Sequence, residues 1–246
     1  SVVSLVALAT VVATMTLQNG FGNSSSPVMI GFAFLAGIAA AGFCGFINGT
    51  LTTIFKVPSF IVTLAMMLIA RGLALNLTGN QTIKVGLPDI SWLGQTPNPI
   101  ILMLLLYGLA YFVMHKTIFG RQIYAIGGNE EAARLSGVPV KRVLISVYTI
   151  SGIMAGIAGI VMASELNSGS GEFGQTWELN VIAAVVVGGT SLMGGQGKII
   201  GTLIGCAIIE VINNGMNLMA ISSNTQQIVL GCVILAAIII DKIKKK

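Results

Sequence analysis

The sequence predicts an all-α polytopic membrane protein, and three observations carry that prediction. Hydrophobic residues make up 54% of the chain and charged residues 9%, with a mean hydropathy of +0.91; a soluble domain holds about 25% charged residues. The apolar residues gather in eight runs, most of them near the roughly 20 residues a helix needs to cross the hydrocarbon core. The basic residues collect at one set of run ends.

In order, the runs are Ser1–Leu17, Val28–Thr50, Val57–Thr78, Pro99–Phe119, Val143–Ala163, Glu178–Leu192, Ile199–Leu218 and Gln226–Ile240. The first opens at Ser1 inside hydrophobic sequence, without an initiator Met or basic flank, and reads as a chain whose N-terminal portion has been lost. Glu178–Leu192 and Gln226–Ile240 are short. The former reads as a partial or re-entrant helix, which is tolerated only where it is buried in protein or lines a cavity.

Orientation follows from the basic residues. With Gly120–Arg142 in the cytoplasm and the chain alternating, Lys56, Lys116, Arg121, Arg134, Lys141, Arg142, Lys198, Lys242, Lys244, Lys245 and Lys246 fall on the cytoplasmic side. That is 11 of 13 basic residues; Lys84 lies outside and Arg71 lies within a span. The external loops are Gln18–Pro27, Gly79–Asn98, Asn167–Trp177 and Met219–Thr225. The C-terminus is cytoplasmic, its KIKKK a stop-transfer anchor. The net charge of +5 sits at these membrane boundaries, with no basic patch interleaved with aromatics, so nucleic acid is not a partner.

The whole chain reads as one transmembrane domain, 1–246, with a cytoplasmic loop at 120–142. That loop is the longest polar island, and it is punctuated as a short helix. Asn129 is placed as an N-cap, Glu130 and Glu131 occupy the first turn where the helix dipole favours negative charge, and Ala132, Ala133, Arg134 and Leu135 continue the helix. Gly137 is the left-handed stop and Pro139 prevents a restart. Ala132, Ala133 and Leu135 give it a small exposed apolar face, so it is built to dock.

Small residues recur at four-residue steps in Gly37, Ala41, Gly45 and Gly49, in Gly152 and Gly156, and in Gly197, Gly201 and Gly205. Such stripes let helix backbones approach closely. Cys44, Cys206 and Cys232 lie in apolar runs, unevenly spaced, and read as buried inert thiols rather than a disulfide or metal framework.

Catalytic machinery is not found. His115 has no second His or Cys at ligand spacing, and no G-x-S-x-G occurs. GGTSLMGGQGK fails as a phosphate loop, with Leu192 where a Gly is needed and Ile199 where Ser or Thr is needed; it reads as a flexible cytoplasmic turn that binds no ATP. No cofactor or metal is expected. Arg71 and Glu210 are ionisable residues inside spans, costly and often functional. Arg71 either snorkels to the outer interface, pairs with Glu210 or lines a polar path. Asn213, Asn214 and Asn217 cluster near the external end of their helix, and with Arg71 and Glu210 they form the candidate pathway or gate.

Glu131-Ala132-Ala133, three residues and then Gly137 resemble the EAA---G loop of ABC-importer permeases. FIVTLAMMLIARG, GRQIYAIGGNEEAARLSGV, ELNVIAAVVVGGTSLMGGQGKIIGTLIG and NNGMNLMAISSNTQQIV extend the match. Together they resemble the ribose-type sugar permeases of bacterial ABC importers, a group that includes galactose, xylose and autoinducer permeases. Ser1–Leu5 is similar to that family's D-L-S-V-G-S-L stretch cut after Asp-Leu, with Val3 for Gly. Glu210 departs from the family, where a small or apolar residue is expected.

The resemblance implies about ten spans, of which eight are present, in a bacterial plasma (inner) membrane. It implies a second permease protomer, identical or paralogous, an ABC ATPase subunit and an extracytoplasmic sugar-binding protein. Asn129, Glu130, Glu131, Ala132, Ala133, Arg134, Leu135 and Gly137 would form the coupling helix seated on the ATPase, and ATP hydrolysis there would drive translocation. The rival reading is an ion-coupled secondary transporter of a small polar solute, which needs midplane carboxylates. Glu210 is the clear acidic candidate, and a carrier of that kind leaves the docking helix unexplained.

Overall fold

The computed structural model describes residues 1–20, 27–85, 88–191 and 194–244. Leu192, Lys245, Lys246 and most of the Gln18–Pro27 loop therefore lie outside the described residues. Among those described, ten helices follow one another: α1 (Val2–Gly20), α2 (Pro27–Ile54), α3 (Ser59–Thr78), α4 (Asn98–Lys116), α5 (Ile118–Gly128), α6 (Glu130–Leu135), α7 (Val140–Leu166), α8 (Trp177–Val187), α9 (Ile199–Leu218) and α10 (Ser223–Lys244). Each of the eight apolar runs forms a helix. α2, α3, α4, α7 and α9 are long and apolar enough to cross a membrane, and shorter apolar helices occupy 2–18, 177–187 and 223–237. The chain divides into two compact units. Residues 1–105 and 141–175 form the first, and 106–140 and 176–246 the second.

In the first unit α1 is the buried centre. Leu5, Ala7, Ala9, Val11 and Ala13 are almost wholly enclosed, as are Ser4, Thr10 and Thr14 between them. A helix apolar on every side belongs inside. The Thr10 and Thr14 hydroxyls return to carbonyls of their own helix, Ala7 at 2.7 Å and Thr10 at 2.8 Å. α2 and α7 press against α1 at glycines. A Cβ at Gly37 would stand 2.7 Å from the Ala9 carbonyl oxygen, and one at Gly159 2.6 Å from that of Val6.

The glycine stripes pair within the chain. A Cβ at Gly45 would lie 3.1 Å from the Gly152 Cα, and one at Gly156 2.8 Å from the Ile38 Cα, so α2 and α7 meet backbone to backbone along the predicted seam. In the second unit, Gly201 and Gly205 of α9 lie against Gly188 and the Ala184 carbonyl at the end of α8.

The loops joining the spans are less open than the sequence suggests. In the first unit β1 (Ile83–Lys84) pairs antiparallel with β2 (Ser168–Gly169). A 3-10 helix, Pro88–Gly94, is tied to the end of α7, where the Gly94 amide donates to Ser164 Oγ at 2.8 Å and Ser164 donates to the Ile90 carbonyl. The loops 79–98 and 167–177, assigned to one side of the membrane from charge alone, thus touch each other directly.

Two expectations need correction. The cysteines are free, but Cys44 and Cys206 are only half-buried and Cys232 is exposed. An apolar neighbourhood suits hydrocarbon as well as it suits a core, so it does not require burial. The 120–142 loop also holds α5 in addition to the short helix read from its caps.

Candidate functional site

The polar island begins where α4 stops. Thr117 takes extended backbone, and its hydroxyl donates to the Val113 carbonyl at 2.6 Å and accepts the Gly120 amide at 3.3 Å. That one side chain ends α4 and caps α5. Gly120 then sits so close to Met114 that a Cβ would lie 2.6 Å from its Cα. Ile126 faces inward while Arg121 and Ala125 face out. Sequence reasoning missed α5 because its three glycines lower helix propensity; the Thr117 cap was the available signal.

α6 follows as the caps predict. Asn129 Oδ1 accepts the Ala132 amide at 3.0 Å, which satisfies a free first-turn donor. At the other end the Gly137 amide donates to Arg134 and the Val138 amide to Ala133, each at 3.1 Å, with Gly137 at φ +83°. This pair of bonds is a Schellman stop, which needs a residue at ease in left-handed backbone. Glu131 and Arg134 form an ion pair, 64% and 63% exposed, which adds little in water. Ala133 is buried, so the exposed apolar face narrows to Ala132 and Leu135. Leu135 is 80% exposed on a rigid, doubly capped turn.

The glycine-rich stretch after α8 is pinned rather than free among its described residues. Tyr124 of α5 donates its hydroxyl to the Gly197 carbonyl at 2.9 Å, and the Ser191 amide donates to Gln196 at 2.9 Å. Gly194 and Gly195 take positive φ and press on Gly127, where a Cβ would meet the Gly195 nitrogen at 2.5 Å. His115 stacks on Tyr111 with ring centroids 4.3 Å apart.

The candidate pathway residues are divided between the two units. Arg71 belongs to the first unit, where its guanidinium donates to the Gly171 carbonyl at 2.6 Å and to that of Phe173 at 2.8 Å. It reaches up its helix onto the chain's own loop, as a long basic side chain near a helix end does. Glu210, Asn213 and Asn217 belong to the second unit and line one cavity of about 580 Å³, formed by α8, α9 and α10. Asn214 is exposed and is not among the residues lining it.

The sequence missed Asn180, Gln226 and Gln227, which line the same cavity from α8 and α10. At the cavity's edge Gln226 Nε2 donates to Asn217 Oδ1 at 2.8 Å and to the Ile221 carbonyl at 2.9 Å. α8 itself spans 11 residues. At 1.5 Å per residue that is about 17 Å, short of a hydrocarbon core of about 30 Å, so it is a half-helix beside the cavity.

The profile of the family described as "Branched-chain amino acid transport system / permease component" matches residues 1–238. Ribose import permease protein RbsC of Escherichia coli (strain K12) is 40% identical over 222 residues, covering 87% of this chain and 69% of that protein. Its counterpart in Bacillus subtilis (strain 168) is 45% identical over 204 residues, 80% of this chain and 63% of that protein. L-arabinose transport system permease protein AraH of Escherichia coli (strain K12) is 40% identical over 255 residues, 100% of this chain and 74% of that protein. No solved structure matches the chain.

Proposed function

Because the chain belongs to the family of branched-chain amino acid transport system permease components, we propose that it is the membrane-spanning permease of a sugar-importing ABC transporter. It is a transport subunit and a multi-pass membrane protein, not an enzyme. Its relatives named for ribose and arabinose, 40–45% identical over most of the chain, support a sugar cargo. Its residues 1–246 act as one transmembrane domain in a bacterial inner membrane, with the C-terminus cytoplasmic. Its partners are an ABC ATPase, an extracytoplasmic sugar-binding protein, a second permease protomer and membrane lipid.

The observation that carries this reading is α6. A six-residue helix held at both ends, presenting an 80% exposed Leu135 beside Arg134, is a rigid knob whose burial needs a partner. Asn129, Glu130, Glu131, Ala132, Arg134, Leu135 and Gly137 shape that knob, and Ala133 seats it on the protein. ATP binding in the partner displaces the knob as a unit, and the spans follow. The mechanism transmits force through packed helix ends and makes no bond.

The test is ATP-driven uptake in vesicles holding the permease, its ATPase and its binding protein, with radiolabelled D-ribose and L-arabinose as probes. Pentose uptake that stops without ATP is the expected result. Uptake abolished by an ionophore and indifferent to ATP would overturn the reading in favour of ion-coupled transport.

A further inference from the structure

We infer that the corner between α4 and α5 is a binding surface for an anionic phospholipid, which steadies the root of α6. The inference rests on the reading above, in which α4 crosses the membrane and α6 meets the ATPase. Lys116 is the last residue of α4, and Arg121 stands in the first turn of α5. Both are exposed, and among the described residues neither side chain makes a hydrogen bond or an ion pair. His115 is not part of the surface, since its ring stacks on Tyr111 with Nδ1 3.1 Å from that residue's carbonyl oxygen. Glu130 and Glu131 lie past the far end of α5, about 10 Å of helix from Arg121, and Glu131 is paired with Arg134.

Depth and chemistry both point to lipid. α4 has 19 residues, about 28 Å at 1.5 Å per residue, which matches a hydrocarbon core of about 30 Å. Its last residue therefore stands at the level of the lipid phosphates, and Gly120, packed on Met114, holds Arg121 close to that level. Leu109, Phe112 and Lys116 follow at three- and four-residue steps and share one face of α4. Leu109 and Phe112 are more than half exposed, as is Ile118 between the two cations in the chain. An apolar track ending in a cation fits an acyl chain below a phosphate. Arg121 offers forked donors and Lys116 a point charge, and a phosphodiester accepts from both. A zwitterionic headgroup would bring its own cation to the same place, so a lipid of net negative charge is preferred.

The surface stands at the root of the docking element. α5 runs from it to Asn129, which closes α5 and caps α6. Midway along, Tyr124 holds α5 to the Gly197 carbonyl. A phosphate bound by Lys116 and Arg121 ties the near end of α5 to the bilayer and so fixes the lever from which α6 projects.

The experiment uses the full chain in nanodiscs of phosphatidylcholine with and without phosphatidylglycerol. Lipids retained on the released protein are counted by intact-complex mass spectrometry, and hydrogen exchange is followed over 117–135. The expected result is preferential retention of phosphatidylglycerol, with slower exchange when it is present. Lys116→Gln and Arg121→Gln should each weaken its binding about fivefold, as loss of one basic residue near an anionic surface does. Lys116→Arg should keep most of it, Ile118→Ser should weaken it, and Lys84→Gln, an equal loss of charge elsewhere, should not. Equal retention by the parent and the Lys116→Gln, Arg121→Gln double variant would overturn the proposal. Binding unmoved by Ile118→Ser and displaced by inorganic phosphate would show an anion site without acyl contact and overturn the lipid assignment. Exchange unchanged by bound phosphatidylglycerol would overturn the steadying of α6. These measurements need no transport. Retention that follows the variants, in an importer without ATP-driven uptake, would support the surface and overturn the import reading. ATP-driven uptake with retention indifferent to the variants would do the reverse.

Discussion

The guanidinium of Arg71 in α3 donates to the carbonyl of Gly171, 100 residues further along the chain, at 2.6 Å. It closes the 167–175 loop over its own helix, with the Phe173 carbonyl as a further acceptor. Gly171 is packed so tightly there that a Cβ would lie 2.8 Å from the Leu75 nitrogen.

Arg71→Ala should therefore release this loop. Hydrogen bonds to a charged donor are worth about 1.5–3 kcal/mol, and Arg71→Lys should keep part of that with one ammonium in place of the fork. Thermal unfolding in detergent, with proteolysis after Phe173, checks the order parent, Lys, Ala. Equal resistance to cleavage in all three would show that the carbonyl contacts do not hold the loop.

Gly45 and Gly72 make a matched pair. A side chain at Gly45 strikes the backbone of α7, whereas nothing stands within 4 Å of a Cβ at Gly72. Gly45→Ala should cost about 1–3 kcal/mol by overpacking. Gly72→Ala should be neutral or gain up to about 1 kcal/mol from helix propensity. Melting temperatures of the two variants in one detergent decide the matter, and equal shifts would deny the seam.

The coupling role proposed for α6 predicts variants that fold but do not work. Leu135→Ser removes the exposed apolar tip without touching either cap. Glu131→Lys reverses a first-turn charge, and Gly137→Pro removes a donor and forbids φ +83°. All three should insert normally while uncoupling uptake from ATP hydrolysis in reconstituted vesicles. Asn129→Ala should instead weaken α6 itself, by about 1 kcal/mol as cap deletions do. Normal uptake in the first three would end the assignment of α6 to the ATPase.

Tyr124→Phe should loosen the turn that Gly197 anchors. Loss of one hydroxyl bond is worth about 0.5–1.5 kcal/mol, so exchange of the Ser191 amide should quicken by up to about tenfold. Hydrogen exchange followed by mass spectrometry reads it. Unchanged protection across 189–198 would mean the glycine contacts with Gly127 suffice.

What was legible in the sequence was local. Eight apolar runs became eight helices, and α6 began and ended at Asn129 and Gly137, because caps act over three or four residues. The stripes at Gly45 and Gly152 were readable because spacing along one helix fixes a face. α5 escaped notice since its signal, one threonine capping a glycine-rich segment, is weak beside the apolar runs.

The sequence by itself thus determined the class, the apolar helices, the small-residue faces and the capped helix α6, each a matter of composition or short-range periodicity. Only the tertiary structure decided which faces meet. It paired Gly45 with Gly152, bound Arg71 to Gly171 and Tyr124 to Gly197, and gathered Asn180, Glu210, Asn213 and Gln227 around one cavity while leaving Asn214 outside it. The paired residues lie far apart in the chain, and no local preference encodes a contact whose free energy exists only once the helices have packed.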